Sequence, residues 1–443
     1  MTGTYPLSAG QEALWLMFRL APTNTIYNGI TAFRVHTHLD ENVLREAIGR
    51  TADRHPMLRS SFHDGDEGPY RIVEDGRLPE LDVRSCADDS QLRAEVDEFA
   101  ALPFALTSDL PFRFLLLRAG AAEAVLAVAS HHIATDATAQ LVILGDLLGM
   151  YTAQATGTQP RLPAMRATYE EFVEEERARL DPARHPESAE FWRKLCLPLP
   201  PGAELPTDHP REVGTAVSSE VHEVIFDEGS VKDILAAAPR EGVTPFSYLF
   251  GMFQVLLHHW TGEQDFLVGY SRSERFHPKW RYVVGLMANT PPFRARLTPD
   301  MTYREVFAAT DDQIGQAMAQ FSYPFALLPR VLNAPRTPRK SPLFQVLFSY
   351  LAQQHIGFIG RPDTPDEGYA RIGGIPVSGF PVTRLTLSNF DLTFEIVQAG
   401  NSMKIVLVYR PDLFERSTME RLGADYQHLL AEATQDHNRA VAH

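Results

Sequence analysis

The chain has 443 residues, 44% of them hydrophobic and 22% charged. That balance excludes a disordered chain and implies two or three globular domains. The net charge of −15 with histidine neutral argues against a nucleic-acid binder and against adsorption to anionic membranes, since both need a basic footprint. The longest apolar runs fall far short of the ~20 residues that span a bilayer. The start Met1-Thr2-Gly3-Thr4-Tyr5 lacks the basic and apolar regions of a secretion signal. No membrane partner and a cytoplasmic location are therefore expected. Cys86 and Cys196 stand far apart and outside any Cys-x-x-Cys pair, so two inert buried thiols are expected rather than a disulfide framework or a zinc site.

In chain order, Ser8 to Leu20 reads as a capped helix with Gln11 in the capping-box position and Leu14, Trp15 and Phe18 on one face. Leu39 to Arg54 reads as a second amphipathic helix. Phe112 to Arg118 and Ala124 to Ala129 are mostly apolar runs on either side of Ala119-Gly120-Ala121-Ala122-Glu123, the pattern of a buried hairpin. The second run stops at Ser130, and Asp136 stands at an N-cap position before the apolar run Leu141 to Leu148. Residues 130–136 thus form a strand-to-helix turn, whose helix start presents unpaired N–H groups.

Residues 156–189 shift to Arg, Glu and Pro, which places a boundary near Asp181-Pro182. Leu205 to Pro210 reads as an extended linker. The second half follows similar grammar. Ser247 to His258 is an apolar helix, and Asp265 to Gly269 a short buried strand. Leu343 to Tyr350 is an alternating strand, and Phe390 to Val397 with Met403 to Tyr409 form a hairpin. Thr418 to Ala433 is a closing helix. The fold class is α/β, in two layered lobes.

The chemical signal is His131-His132-Ile133-Ala134-Thr135-Asp136. Taken alone, it is open between a catalytic histidine and a satisfied pair beside a helix cap. A metal site is disfavoured, because adjacent histidines diverge and no spaced third ligand follows.

With its neighbours, this segment resembles the central His-His-x-x-x-Asp-Gly motif of the condensation-domain superfamily of nonribosomal peptide synthesis, related to chloramphenicol acetyltransferase. Ser8-Ala9-Gly10-Gln11 with Leu14-Trp15 resembles its first motif, and Arg54 to Phe62 its second. Tyr169-Glu170-Glu171-Phe172 resembles the Tyr-x-Asp-Tyr motif. Val284 to Arg294, Ser341 to Val346, Phe390-Asp391-Leu392 and Tyr409 to Phe414 resemble later motifs.

The resemblance implies two acetyltransferase-like lobes, residues 1–176 and 177–443, in a V-shaped pseudodimer with a central tunnel. The second lobe would supply a latch and a bridging loop at about 260–295. It implies transfer of an aminoacyl or acyl group from a carrier-protein phosphopantetheine thioester to an amine or hydroxyl acceptor. The chain itself would bind no cofactor or metal, because the donor carrier protein supplies the phosphopantetheine arm. The acceptor would be a small molecule or carrier-bound.

The resemblance also implies site roles. His132 is the general base or positioning group for the nucleophile, and His131 its more structural companion. Asp136 is expected to pair with the second-motif arginine, Arg59, and so fix the turn. Ala137 replaces the family glycine, and its N–H is a candidate oxyanion donor. Asn289 and Gln345 are candidate substrate-positioning amides.

The Met1 start and unadorned C-terminus point to a free-standing enzyme using its peptidyl carrier protein in trans. Two basic clusters, Arg272, Arg275, Lys279 and Arg281, and Arg330, Arg336, Arg339 and Lys340, read as solvated charged loops, with a docking face for an acidic carrier protein as the alternative. Three alternatives compete. One is an acyltransferase of the same superfamily using CoA or a polyketide carrier. Another is a non-catalytic recruitment module, against which both histidines and the acid are intact. The third is an epimerisation domain. A cyclising subtype would carry acids in place of the histidines.

Overall fold

The computed structural model describes residues 3–120, 123–180, 186–211, 219–320, 323–335, 340–352, 370–382 and 390–441. The chain divides into two compact units. The first comprises Met1–Ala178, Ser273–Ala288 and Gln353–Leu387; the second comprises Arg179–Arg272, Asn289–Ala352 and Ser388–His443. Of the 260–295 stretch assigned to a bridge, Ser273–Ala288 therefore belongs with the first unit. Asp181-Pro182, the expected boundary, lies outside the described residues.

The first unit is built on a six-stranded mixed sheet. Asn28–Val35, Glu123–His131, Phe112–Ala119 and Glu80–Cys86 lie side by side, and the Ala370–Ile372 and Ile375–Gly379 hairpin extends the Asn28 edge. Ala124 to Ala129 is apolar without alternation because both faces of this central strand are buried. The expected hairpin forms, with Phe112 opposite Ser130. Helix Ala9–Leu20 starts on a complete Ser8/Gln11 capping box, and helix Glu41–Arg54 on Asp40, whose carboxylate accepts from the Val43 N–H. Helix Ala137–Thr156 starts on Asp136 and ends at Gly157, whose φ of 65° is the left-handed cap that glycine adopts without strain. Its buried face packs into a core shared with Leu115, Val128, Phe172, Trp280 and Met287.

The second unit has its own six-stranded sheet, in the order Pro292–Arg296, Asp265–Tyr270, Val346–Ala352, Leu392–Ala399, Ser402–Tyr409, Glu220–Ile225. Helices Pro245–Thr261 and Arg416–Gln435 cover one face. Thr244 caps the former with Pro245 at its first position, where a missing N–H costs nothing. Phe253 stands at the centre, its ring 5.2 Å from Phe348, 4.5 Å from Phe394 and 6.4 Å from Tyr426. The expected linker Leu205 to Pro210 packs rather than merely connects. Leu205 joins this core, and the Asp208 and His209 N–H groups donate to the Leu413 carbonyl. The expected strand Leu343 to Tyr350 starts later, at Val346.

A Phe253→Ala substitution removes the ring that these three aromatics enclose. It is expected to destabilise the second unit by about 3–5 kcal/mol. Urea unfolding followed by circular dichroism should show this unit melting ahead of the first, splitting one transition into two.

Candidate active site

The strand Glu123–His131 leads directly into the site. The His131 N–H donates to the Pro111 carbonyl at 3.0 Å and the His132 N–H to the Tyr27 carbonyl at 2.8 Å, so both histidines leave the sheet on fixed backbone. A short 3-10 turn, His132–Ala134, then redirects the chain toward Asp136.

The two imidazoles have different environments. His131 is buried; its Nδ1 accepts from the Ile133 N–H at 3.1 Å, and the rings of Phe18, Tyr27 and Phe104 lie 6.1–6.5 Å away. Burial, with a smaller effect from neighbouring His132, pushes its pKa down to about 3, so it is neutral and structural. His132 is only partly buried. Its Nδ1 lies 2.6 Å from the Thr135 carbonyl. A carbonyl only accepts, so the proton sits on Nδ1 and the Nε2 lone pair remains available. Desolvation lowers the His132 pKa, against opposing effects from Asp136 and the Thr135 carbonyl. The ring is therefore held neutral in one tautomer, as a general base requires.

The expected pairing of Asp136 with Arg59 is not found. Arg59 closes the Pro56–Arg59 turn and sends Nη1 to Asp75 at 2.9 Å and toward the Glu74 carbonyl. The partner of Asp136 is Arg275, 139 residues away, with Nη1 2.5 Å from Oδ2. Both side chains are buried. The Asp136 carboxylate also accepts from the Met287 N–H at 3.0 Å and, as helix cap, from the Ala139 N–H at 2.9 Å. Arg275 uses all five of its N–H donors. Besides Asp136 they reach the Val283 carbonyl twice, the Gly285 carbonyl and the Ser273 hydroxyl. One ion pair thus ties the start of helix Ala137–Thr156 to the segment 283–287.

Two further braces escaped the sequence reading. Gln11 caps its own helix through Oε1 and donates through Nε2 to the Ile133 carbonyl at 2.8 Å, gripping the histidine turn. The Tyr169 hydroxyl bridges Ser8 Oγ at 3.2 Å and the Leu286 carbonyl at 3.0 Å. A Cβ on Gly285 would meet the Tyr169 ring at 2.1 Å, so this approach requires glycine. The Ser-x-x-Gln spacing was a visible signal for Gln11, but only for its local bond.

The other expected site residues fall elsewhere. Ala137 is exposed at the first helical position, and its N–H has no partner among the described residues, consistent with a donor available to a ligand. Asn289 and Gln345 depart from the substrate-positioning expectation. Asn289 Oδ1 accepts from the Thr290 and Phe325 N–H groups, and its amide donates to the Tyr323 carbonyl. Gln345 is buried and exchanges both amide ends with the Ser341 backbone. Each braces a loop of the second unit.

In the Arg272 to Arg281 cluster, two of the four cations are committed within the first unit. Arg275 is buried in the site, and Lys279 pairs with Glu175 at 2.5 Å. In the other cluster, Lys340 pairs with Glu204, and Arg336 and Arg339 lie outside the described residues. Among the described residues no three His, Cys, Asp or Glu side chains converge as a metal site, and no helix is long and apolar enough to cross a membrane.

Comparison with known sequences decides the family. A sequence model of the condensation domain matches residues 1–443. The chain belongs to the condensation-domain family.

It is 30% identical over 428 residues to the phosphinothricin tripeptide synthetase PhsC of Streptomyces viridochromogenes, covering 95% of this chain and 38% of that protein. It is 26% identical over 427 residues to tyrocidine synthase 2 of Brevibacillus parabrevis, covering 96% and 11%. The chain thus spans well under half the length of these relatives. Among solved structures, the X-domain from teicoplanin biosynthesis superimposes with a TM-score of 0.84 at 23% identity, over 99% of this chain and 96% of that one. SgcC5 from Streptomyces globisporus, in complex with (R)-(-)-1-(2-naphthyl)-1,2-ethanediol and sucrose, gives 0.81 at 26%, over 98% and 100%. The acetyltransferase-like α/β fold class is therefore established. Condensation domains of nonribosomal synthesis are, in general, amide-forming acyltransferases that work on carrier-bound substrates.

Two outcomes test the site. Arg275→Met strands a buried carboxylate and should cost about 3–5 kcal/mol, with Asp136→Asn in the same chain recovering part of the loss. Arg59→Met removes a pair whose acid is exposed and should cost under about 1 kcal/mol; urea titrations of the three variants give the comparison. The second outcome concerns pH. Both histidines have folded pKa values below the unfolded value near 6.5, so below that pH the unfolded chain binds more protons. Their contribution to stability is complete above about pH 6.5 and falls as pH drops, for His131 by roughly 1 kcal/mol per pH unit down toward its folded pKa of about 3. His131→Asn should flatten the slope of unfolding free energy between pH 6.5 and 4 by about one proton.

Proposed function

We infer that this condensation domain transfers an acyl or aminoacyl group from the phosphopantetheine thioester of a carrier protein to an amine or hydroxyl acceptor. His132 Nε2 removes the acceptor proton as the nucleophile attacks the thioester carbon. The C–S bond breaks, an amide or ester bond forms, and the proton passes to the released pantetheine thiol. The observation that carries the reading is the tautomer of His132: the Thr135 carbonyl holds Nδ1–H and leaves Nε2 basic in a desolvated, neutral ring. No covalent enzyme intermediate is invoked. Holding the thioester and nucleophile together supplies the effective concentration.

Two further points support the reading. Asp136 takes two backbone N–H groups and an arginine, so it fixes the turn instead of relaying protons. The exposed Ala137 N–H at the helix start is a candidate donor to the thioester oxyanion. Alanine in place of glycine adds a methyl beside that position and narrows it. The SgcC5 structure holds a 1,2-diol, which favours testing alcohols with amines. We favour a carrier-bound donor over CoA-dependent acyl transfer and over a recruitment module, against which the histidines and the acid are intact.

The test is a mass-spectrometric transfer assay. A carrier protein loaded with aminoacyl and aryl thioesters is mixed with pooled amines and alcohols, beside CoA-thioester controls. Wild type should form product from carrier-bound donors. His132→Ala should lose at least ~100-fold, the low end of what general-base catalysis supplies, while keeping the wild-type melting temperature. Equal turnover by the variant would remove His132 from the mechanism. Tight carrier binding without turnover by wild type would favour the recruitment module.

A further inference from the structure

The two halves of the proposed chemistry sit on different elements. His132 continues the strand Glu123–His131, and the Ala137 N–H opens the helix Ala137–Thr156. Their spacing matters, because a base and an oxyanion donor must be held to within about 0.5 Å of the productive geometry. Most braces of the site do not set it. Asp136 is tied to the Ala139 N–H of its own helix, to Arg275 and to the Met287 N–H. Gln11 and the Tyr27 carbonyl hold the histidine turn from other elements. Apart from that covalent turn, apolar packing joins helix to strand, and such packing is non-directional.

Gln140 is the exception. Its N–H donates to the Asp136 carbonyl at 3.1 Å and closes the first helical turn. Its side chain crosses to the sheet: Nε2 donates to Ser130 Oγ at 2.6 Å, and Oε1 accepts from Thr31 Oγ1 at 2.5 Å. Ser130 directly precedes the histidine pair, and Thr31 lies on the adjoining strand Asn28–Val35. Among the described residues no other side-chain hydrogen bond joins this helix to the strand Glu123–His131. Gln140 and Ser130 are buried, and the helix neighbours Ala139, Leu141, Val142, Ile143 and Leu144 are buried and apolar. Stability does not call for a polar chain there, since apolar groups of the same shape in place of both partners are nearly neutral. What a satisfied buried network adds is one fixed arrangement.

We propose that Gln140 is a positioning residue: by pinning the first turn of its helix to Ser130, it sets the spacing between His132 Nε2 and the Ala137 N–H. The bond to Thr31 holds the amide in the orientation that reaches Ser130. The effect on catalysis rests on the acyl-transfer reading; the spacing does not.

The experiment uses the full-length protein with Gln140→Met, Ser130→Ala and both together. Gln154→Met, the same substitution at an exposed position of the same helix, is the control. Transfer is followed with a carrier-bound donor and an acceptor on which wild type gives product. Each single variant should lower kcat by at least about 10-fold and change KM by less than about twofold, because a misaligned site loses transition-state and not ground-state binding. The double variant should be no slower than the slower single one, since both remove the same bond. Gln154→Met should keep the wild-type kcat. Crystal structures of wild type and Ser130→Ala supply a readout that needs no turnover: the separation of His132 Nε2 from the Ala137 nitrogen should change by about 0.5 Å or more. Where Gln140→Met does not fold, Ser130→Ala decides. An unchanged kcat, or losses that multiply in the double variant, overturns the proposal. If wild type transfers no acyl group from any donor, the acyl-transfer reading falls by itself. The crystal structures then decide the spacing: a changed separation supports it and an unchanged one overturns it.

Discussion

The buried ion pair between Asp136 and Arg275 is the constraint on which the rest of the site depends. Its geometry leaves neither partner undercoordinated: the carboxylate takes one guanidinium and two N–H groups, and the guanidinium uses all five donors. A buried pair of this kind adds little net stability over an apolar substitute, because desolvation offsets the attraction. What it adds is position. The helix start, the histidine turn and the segment 283–287 are locked to one another, and the loss of either partner leaves an uncompensated charge.

His132 inherits its chemistry from that frame. Three separate contacts hold the turn: the Tyr27 carbonyl, the Gln11 side-chain amide on the Ile133 carbonyl, and the Asp136 carboxylate cap. The Thr135 carbonyl, fixed by the same turn, sets the tautomer. A base held neutral and aimed in advance needs no reorganisation when the nucleophile arrives, so a single imidazole is enough. His131 contributes through burial and packing; its pKa of about 3 means that it does not compete for the proton.

The two units manage polar groups in parallel ways. Asn289 and Gln345 look like substrate amides in sequence, yet each satisfies loop backbone that would otherwise be buried unpaired. Arg275 looks like part of a basic surface cluster and is a core residue.

The elements and the central motif could be read from the linear chain. Capping residues at Ser8, Asp40 and Asp136, the apolar hairpin from Phe112 to His131 and the order of the motifs are local or linear features, and short-range physics is enough to read them. The helix start behind the histidines was legible for the same reason, since an Asp ahead of an apolar helical run has one natural job. Partners were not legible. Asp136 selects Arg275 and not Arg59, and Gln11 reaches Ile133 across 122 residues. Charge and hydrogen-bonding capacity are visible in a sequence, but which donor meets which acceptor depends on how distant segments are folded together. That pairing exists only in the folded chain, and with it come the tautomer of His132 and the burial of Arg275.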